Sequence, residues 1–440
     1  MTARKRWLAA GVAFAALAGL TACSGTAGGA PTASADKGPA TIEVWGWNAE
    51  TGKQIADAFN AAQDDVTVKY VLQASNTATQ TNFRNAFEAG KDLPCLVQGF
   101  APLTTMVVNG WAEDITDVVK KSAKTYTEGA LAAAKVDGRY YGTPSGSDGQ
   151  FLIINKATYD KFGVAVPKTW DDFLAAGKTF HEHGVDVTNL AGEDPSTLLN
   201  LVQQAGAEWF SIDGDKWVVD LTSKESLAAA DVVQKLIDGD YVSNQTYQDK
   251  PALYSYYDSG NMASTTTQWW SLGGMATNFH TSLGSWEAVP IPQFAGAKEP
   301  VTPGRTTPSF VPKGCKDADA VMKFVDWQAT KAGIEAGRNT KTGAIGFPTQ
   351  IPDPSPYVDE VIPKGFFADP DKAADEIVFA QKHVIGKFEL GPDYDAWFPE
   401  LQDQWGKAVA GQITVADALK ATQDFIASDL KQKGIGYTVK

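Results

Sequence analysis

Histidine, cysteine and methionine are scarce in this chain of 440 residues, which has four His, three Cys and five Met. So few imidazole and thiol groups leave little material for a metal centre or for thiol chemistry, and no metal or cofactor is expected. The one close His pair is His181-x-His183. Without further His, Cys or carboxylate beside it, that pair reads as a solvated helix end. Signature motifs of covalent and nucleotide chemistry are missing too: there is no G-x-S-x-G, C-x-x-C, H-E-x-x-H or Walker loop. Carboxylates are plentiful enough that sequence alone leaves an acid/base pair at glycosidase spacing open, although nothing favours one. Basic residues are outnumbered, 38 Lys and Arg against 52 Asp and Glu, for a formal net charge of −14. An acidic surface argues against nucleic acid and against a basic contact with anionic lipid. No transmembrane span and no internal repeat is visible.

What the chain does have begins at its N-terminus. Arg4, Lys5 and Arg6 precede an apolar run from Trp7 to Leu20, shorter than the ~20 residues a spanning helix needs. The run ends in Leu20-Thr21-Ala22-Cys23, which matches the bacterial lipobox. Residues 1–22 are therefore expected to be a lipoprotein signal peptide, and Cys23 the new N-terminus, carrying a fatty acid such as palmitate. An ordinary signal peptide with an incidental Cys is the alternative. Removing the three basic residues would take the net charge from −14 to −17. Residues 23–40 are mostly Gly, Ala, Ser, Thr and Pro and cannot bury a core, so they read as a flexible tether.

The body starts at Thr41. Ile42 to Trp47 and Val66 to Leu72 read as strands, with Ile55, Phe59 and Ala62 marking a helix between them. Phe83, Ala86 and Phe87 mark the next helix, and Cys95 to Phe100 a third strand and its loop. This opening suits a doubly wound α/β sheet, whose ligands lie beyond the carboxyl ends of the strands. Further on, Phe151 to Ile154 reads as a buried strand, Thr169 and Asp172 open one helix, Thr222 and Glu225 another, and Thr414 and Asp417 the last.

The stretch from Val136 to Phe173 carries the most information. It reads Asp137-Gly138-Arg139-Tyr140-Tyr141-Gly142-Thr143-Pro144, a polar spacer, a strand ending in Asn155-Lys156, then Gly163-Val164 and Pro167-Lys168-Thr169-Trp170-Asp171-Asp172. In that order it resembles the solute-binding proteins of bacterial ABC importers, most of all the sugar-binding group related to maltose-binding protein. Asn109 to Thr116, the stretch Ser259 to Ala263 followed by Trp269-Trp270, and Pro300 to Pro312 resemble further segments of that family. The chain departs from the pattern at Cys95, where the family commonly has Asp, and at Arg305, near its usual Gly-Gly.

The resemblance implies an α/β, two-lobed periplasmic-binding-protein-like fold, each lobe a mainly parallel sheet flanked by helices, joined by hinge crossings. Lobe 1 would comprise residues 41–145 and 300–342, and lobe 2 residues 146–299 and 343–440. It implies a monomer that captures a carbohydrate outside the membrane and hands it to ABC permease subunits, held to the cell membrane by its lipid alone and performing no covalent chemistry. A lipid-anchored glycoside-active enzyme and a non-transport sugar receptor of the same fold remain the alternatives.

Sugars present apolar C–H faces and hydroxyl edges, so their sites need flat rings and a polar rim. Among 13 Trp, Trp45, Trp47, Trp269, Trp270 and Trp397 fall where the family places ligand contacts. Any one of them could instead be core, but of two adjacent residues such as Trp269-Trp270 one normally faces outward. Asn48, Glu50, Gln98, Asp148 and Arg305 are expected to read the hydroxyls. With Cys23 acylated, Cys95 and Cys315 remain. The family's fold makes their strands antiparallel neighbours, which implies a disulfide.

Overall fold

Two faces of the first strand organise the N-terminal body. The computed structural model describes residues 39–99, 102–306, 308–340, 343–385 and 388–440. The expected signal peptide, Cys23 and nearly all of the tether lie outside them. Strand β1 (Ala40–Gly46) lies between β2 (Val66–Leu72) and β3 (Leu96–Val97) in a parallel sheet of order β2-β1-β3. Helices α1 (Gly52–Ala62) and α2 (Asn76–Ala89) make the crossovers. Alternation along β1 sends Ile42 and Val44 into one core, with Phe59 and Phe324, and Trp45 into another, with Phe83 and Phe310. Ser75 caps α2 by accepting the Ala78 amide, and Gly90 ends it at φ 66°, a left-handed conformation that favours glycine. Phe310 returns from the second body and pairs antiparallel with Val97. The same return joins Cys95 to Cys315 in a disulfide with 5.0 Å between Cα atoms, the pairing that the resemblance implies.

The chain leaves this body through β4 (Ser147–Gly149) and enters the second through β5 (Phe151–Asn155). In chain order the second body contributes α3 (Trp170–His181), β6 (Thr188–Asn189), α4 (Ser196–Gln204), α5 (Lys224–Asp238), β7 (Val242–Ser243), β8 (Ser264–Thr267), α6 (Trp269–Asn278) and β9 (Trp286–Val289). All five residues of β5 are buried. Leu152 and Ile154 face a core with Trp209, Trp397 and Trp405, while Phe151 and Ile153 face one with Trp286, Phe279 and Phe366. A sheet covered on both faces explains the unbroken apolar run in the sequence.

Strand β5 runs antiparallel to both β8 and β9, whereas β7 pairs parallel with β6. The amides of Ala263 and Ser264 donate to Asp186 and Val187 at 2.8 and 3.0 Å, which sets β8 beside β6. The expected parallel sheet therefore has its central strand reversed. The reason is topological: β5 arrives from the other lobe instead of through a helical crossover.

Helix starts bear out two of three expectations. Thr169 with Asp172 and Thr414 with Asp417 form complete capping boxes. At α5, however, the cap is Ser223, which accepts the Ser226 amide, so Thr222 lies one residue outside. Trp269-Trp270 begin α6.

The return strand β10 (Gly304–Thr306) pairs antiparallel with β4, setting Gly304 opposite Gly149, Arg305 opposite Asp148 and Thr306 opposite Ser147. This ribbon supplies two of the connections between the bodies, and residues 345–349 run beside it as a third. The C-terminal helices α7 (Pro370–Lys382), α8 (Tyr394–Val409) and α9 (Val415–Gln432) pack on the second body. Ile334, ahead of the expected switch at residue 342, already packs with that body.

Candidate functional site

At the carboxyl ends of β1, β2 and β3 the first lobe gathers a polar cluster. Gly46 ends β1, and a Cβ there would lie 2.1 Å from the Gln98 Oε1 and 2.7 Å from the Tyr70 hydroxyl. Only glycine lets both side chains close over the strand. The Asn48 amide donates to the Tyr70 hydroxyl at 2.9 Å, and that hydroxyl donates back to the Asn48 carbonyl at 3.2 Å. Burial pushes the Tyr70 phenol above its ordinary range, partly offset by its bond to the Asn48 backbone. The Asn48 Oδ1 accepts the amides of Glu50 and Thr51 at 3.1 and 3.0 Å, which fixes the loop after β1. Asn339 donates to the Glu50 carboxylate. Trp47 stands on this edge 37% exposed. Of the residues expected here, the structure brings together Trp47, Asn48, Glu50 and Gln98.

Gln73, next after β2, belongs to the same edge. Its amide donates to the Gly46 carbonyl at 2.7 Å, and its Oε1 accepts from Asn82 at 2.8 Å. The sequence reading found the loops after β1 and β3 but passed over Gln73, Tyr70 and Asn82. The rule that selects carboxyl ends applies equally to β2, so the signal was there.

On the second lobe, α6 presents the tryptophan pair. Trp270 is 58% exposed, while Trp269 is half-buried and its Nε1 donates to Asp148 Oδ1 at 2.8 Å. Gln268 reaches the Asp148 carbonyl at 3.4 Å. Burial pushes the Asp148 carboxyl up to about 6, against the indole N–H and the Thr349 hydroxyl, which both favour its charge. Asp148 thus meets Trp269 and the third connection. Across the lobes, Arg84 on α2 pairs with Asp395 on α8 at 3.3 Å.

Two expected ligand contacts are corrected by their surroundings. Trp45 is 9% exposed and shares a core with Phe83 and Phe310, because strand alternation turns it inward under α2. Trp397 is 2% exposed inside α8, its Nε1 donating to the Leu390 carbonyl at 3.2 Å. A large apolar ring on the inward face of a helix is core. The side chain of Arg305 lies outside what the structure describes. His183 stacks on Phe162 with ring centroids 4.3 Å apart, and among the described residues no group of three or more His, Cys, Asp or Glu could hold a metal ion.

A cavity of about 420 Å³ lies along the ribbon, lined by Ser147, Gly304 and Thr306, by Ala130 and Ala133 of the first lobe, and by Gln203 of the second. Paired residues of an antiparallel ribbon share a face, so Ser147, Gly304 and Thr306 face this cavity, and Thr349, whose hydroxyl meets the Asp148 carboxyl, lines it as well.

Among known proteins, the family described as bacterial extracellular solute-binding protein matches residues 45–335. A curated relative, the diacetylchitobiose binding protein DasA of Streptomyces coelicolor, is 24% identical over 205 residues. That match covers 44% of this chain and 47% of the relative, so the chain spans about half the length of the curated relative it matches. The solved galacto-N-biose-/lacto-N-biose I-binding protein of the Bifidobacterium longum ABC transporter, in complex with lacto-N-biose, superposes with a TM-score of 0.78 at 22% identity. The superposition covers 92% of this chain and 100% of that one. An ABC transporter associated binding protein from B. animalis subsp. lactis, in complex with beta-1,6-galactobiose, gives a TM-score of 0.72 at 22% identity, covering 91% and 100%. These likenesses establish the fold as the two-lobed one of such binding proteins. With the family match extending over most of both lobes, the chain belongs to the bacterial extracellular solute-binding proteins.

Proposed function

We propose that this protein captures a carbohydrate outside the membrane and delivers it to the permease of an ABC importer. The observation that carries this reading is the pair of exposed indoles on the two lobes, Trp47 at 37% and Trp270 at 58%, beside amides and carboxylates. An exposed indole is a platform for the apolar face of a sugar ring, and Asn48, Glu50 and Gln98 supply groups that read hydroxyls. The sugars bound in the two structural neighbours, lacto-N-biose and beta-1,6-galactobiose, are of this class. Lobe 1 is taken as residues 41–145 and 300–342 and lobe 2 as residues 146–299 and 343–440, with ligand bridging them and favouring closure. The reading is one of binding and release by a monomer, without bond chemistry.

A thermal-shift screen with lacto-N-biose, β-1,6-galactobiose and longer oligosaccharides tests it, because a ligand of the native state raises the midpoint. A rise with at least one sugar, and no product released from it, is expected. No shift with any carbohydrate, or turnover of one, overturns the reading.

Anchoring belongs to the same proposal. Leu20-Thr21-Ala22-Cys23 behind a short apolar run supports acylation at Cys23 and a place on the outer face of the cell membrane. Cys23→Ser is expected to lose fatty-acid labelling and to appear in the medium. A variant that still labels and still sediments with membranes refutes the anchor while leaving the ligand class untouched.

A further inference from the structure

We infer that Asp148 is a positioning residue and not a reader of sugar hydroxyls: its carboxylate docks the tryptophan-bearing helix α6 on the hinge ribbon, so that platform and lobe closure move together. The inference rests on the carbohydrate reading only in taking α6 as the platform.

The geometry is local and specific. Asp148 is the central residue of β4 and pairs with Arg305 of β10, so its backbone belongs to two of the three connections between lobes. Its side chain leaves the ribbon on the face opposite Ser147 and Thr306. There Oδ1 takes the Trp269 indole N–H at 2.8 Å, and the carboxyl also bonds the Thr349 hydroxyl of the third connection. Gly146 makes that approach possible, since a Cβ there would lie 2.1 Å from Thr349 Oγ1. Asp148 therefore links all three connections to the first residue of α6, two through its backbone and the third through its carboxylate.

The start of α6 needs such a tie. Its N-cap residue, Gln268, makes no side-chain capping bond, and its amide group is turned instead to the Asp148 carbonyl at 3.4 Å. Trp269 also packs on the third connection, where a Cβ at Gly346 would lie 3.6 Å from its Cη2. A carboxylate with an indole N–H and a hydroxyl on it has committed about half of its acceptor sites to holding the protein together. Asp148 is half-buried, and the burial that pushes its carboxyl up to about 6 agrees with a group turned toward protein. A hinge rotation that moves β4 moves this carboxylate, and with it the first turn that presents Trp270.

The test is a double-mutant cycle read by distance, which needs no ligand. Spin labels at the exposed Lys53 of the first lobe and Lys420 of the second report the distribution of lobe separations. Asp148→Ala and Trp269→Phe should each shift that distribution in the unliganded protein, and the double variant should shift it no further than either alone. The indole N–H proton resonance of Trp269 should lose its downfield position in Asp148→Ala and recover part of it in Asp148→Asn, whose amide oxygen keeps an acceptor in place. If Asp148→Ala does not fold, Asp148→Leu, similar in shape and without an acceptor, takes its place in the cycle. Additive shifts, or an unmoved distribution in every variant with an intact fold, overturn the inference. Sugar titration of the parent protein is a separate arm: failure to bind there strikes the carbohydrate reading, whereas the distance cycle judges the coupling by itself.

Discussion

Trp269 and Trp270 are neighbours in sequence and opposites in environment, one holding a carboxylate and the other open to solvent. Stacking on an indole face that covers about 60–80 Å² contributes roughly 1.5–2 kcal/mol at ~25 cal/mol per Å². Trp270→Ala should therefore weaken disaccharide binding about tenfold to thirtyfold, measured by calorimetry, with an unchanged melting temperature. Trp397→Ala is the contrasting case. Truncating a buried ring should cost roughly 3–5 kcal/mol of stability, read in a denaturant titration, while the folded fraction binds as before. The sequence made Trp47, Asn48 and Gln98 legible because the ends of doubly wound strands follow from periodicity. It could not separate Trp45 and Trp397 from them, because inward and outward tryptophans look alike until a register is fixed.

Glu376 makes a residue-scale prediction of its own. It lies on α7, 8% exposed, and burial raises its carboxyl to about 8 against the weaker pull of Lys372. Lys372 itself bonds Glu287. Between its ordinary value near 4.5 and about 8, the folded chain keeps a proton that the unfolded chain releases. This group's contribution to stability is therefore full below that window and falls as pH rises through it. Glu376→Gln should melt higher than the parent at pH about 8 and flatten the profile between pH about 5 and 8; parallel profiles for the two proteins exclude the effect.

Among elements, α2 and α8 meet where no covalent connection joins them. Arg84 and Asp395 remain partly exposed, so their ion pair contributes at most about 1 kcal/mol. If closure uses it, Arg84→Ala should lower sugar affinity by up to about fivefold at low salt, and the difference should vanish near 1 M salt, where the screening length is ~3 Å. An equal deficit at both ionic strengths would assign the loss to packing. The start of helix α3 was legible at Thr169 because a capping box is written in four adjacent residues. At α5 the neighbours Thr222 and Ser223 both carry a hydroxyl, and only packing decides which one caps. The direction of β5 was illegible for a different reason: alternation reports which faces are buried and is blind to which way the chain runs.

For the whole molecule, the two-lobed fold was readable from the order of segments between Val136 and Phe173, since that order encodes a departure from one lobe and an arrival in the next. Its interlobe geometry was not, because the pairing of β4 with β10 joins residues far apart in sequence. The disulfide is checked by counting thiols: the mature, denatured, unreduced chain should offer none. Its position has a consequence for fragmentation. Cys95 and Cys315 lie 220 residues apart and bracket the whole first pass through the second lobe. That stretch is a covalent ring hung from the first lobe. A single tryptic cut at the exposed Lys298 opens the ring without dividing the molecule, so an unreduced denaturing gel should show one band and a reduced gel two. A cut at the exposed Lys364, beyond the ring, should release its C-terminal piece on either gel.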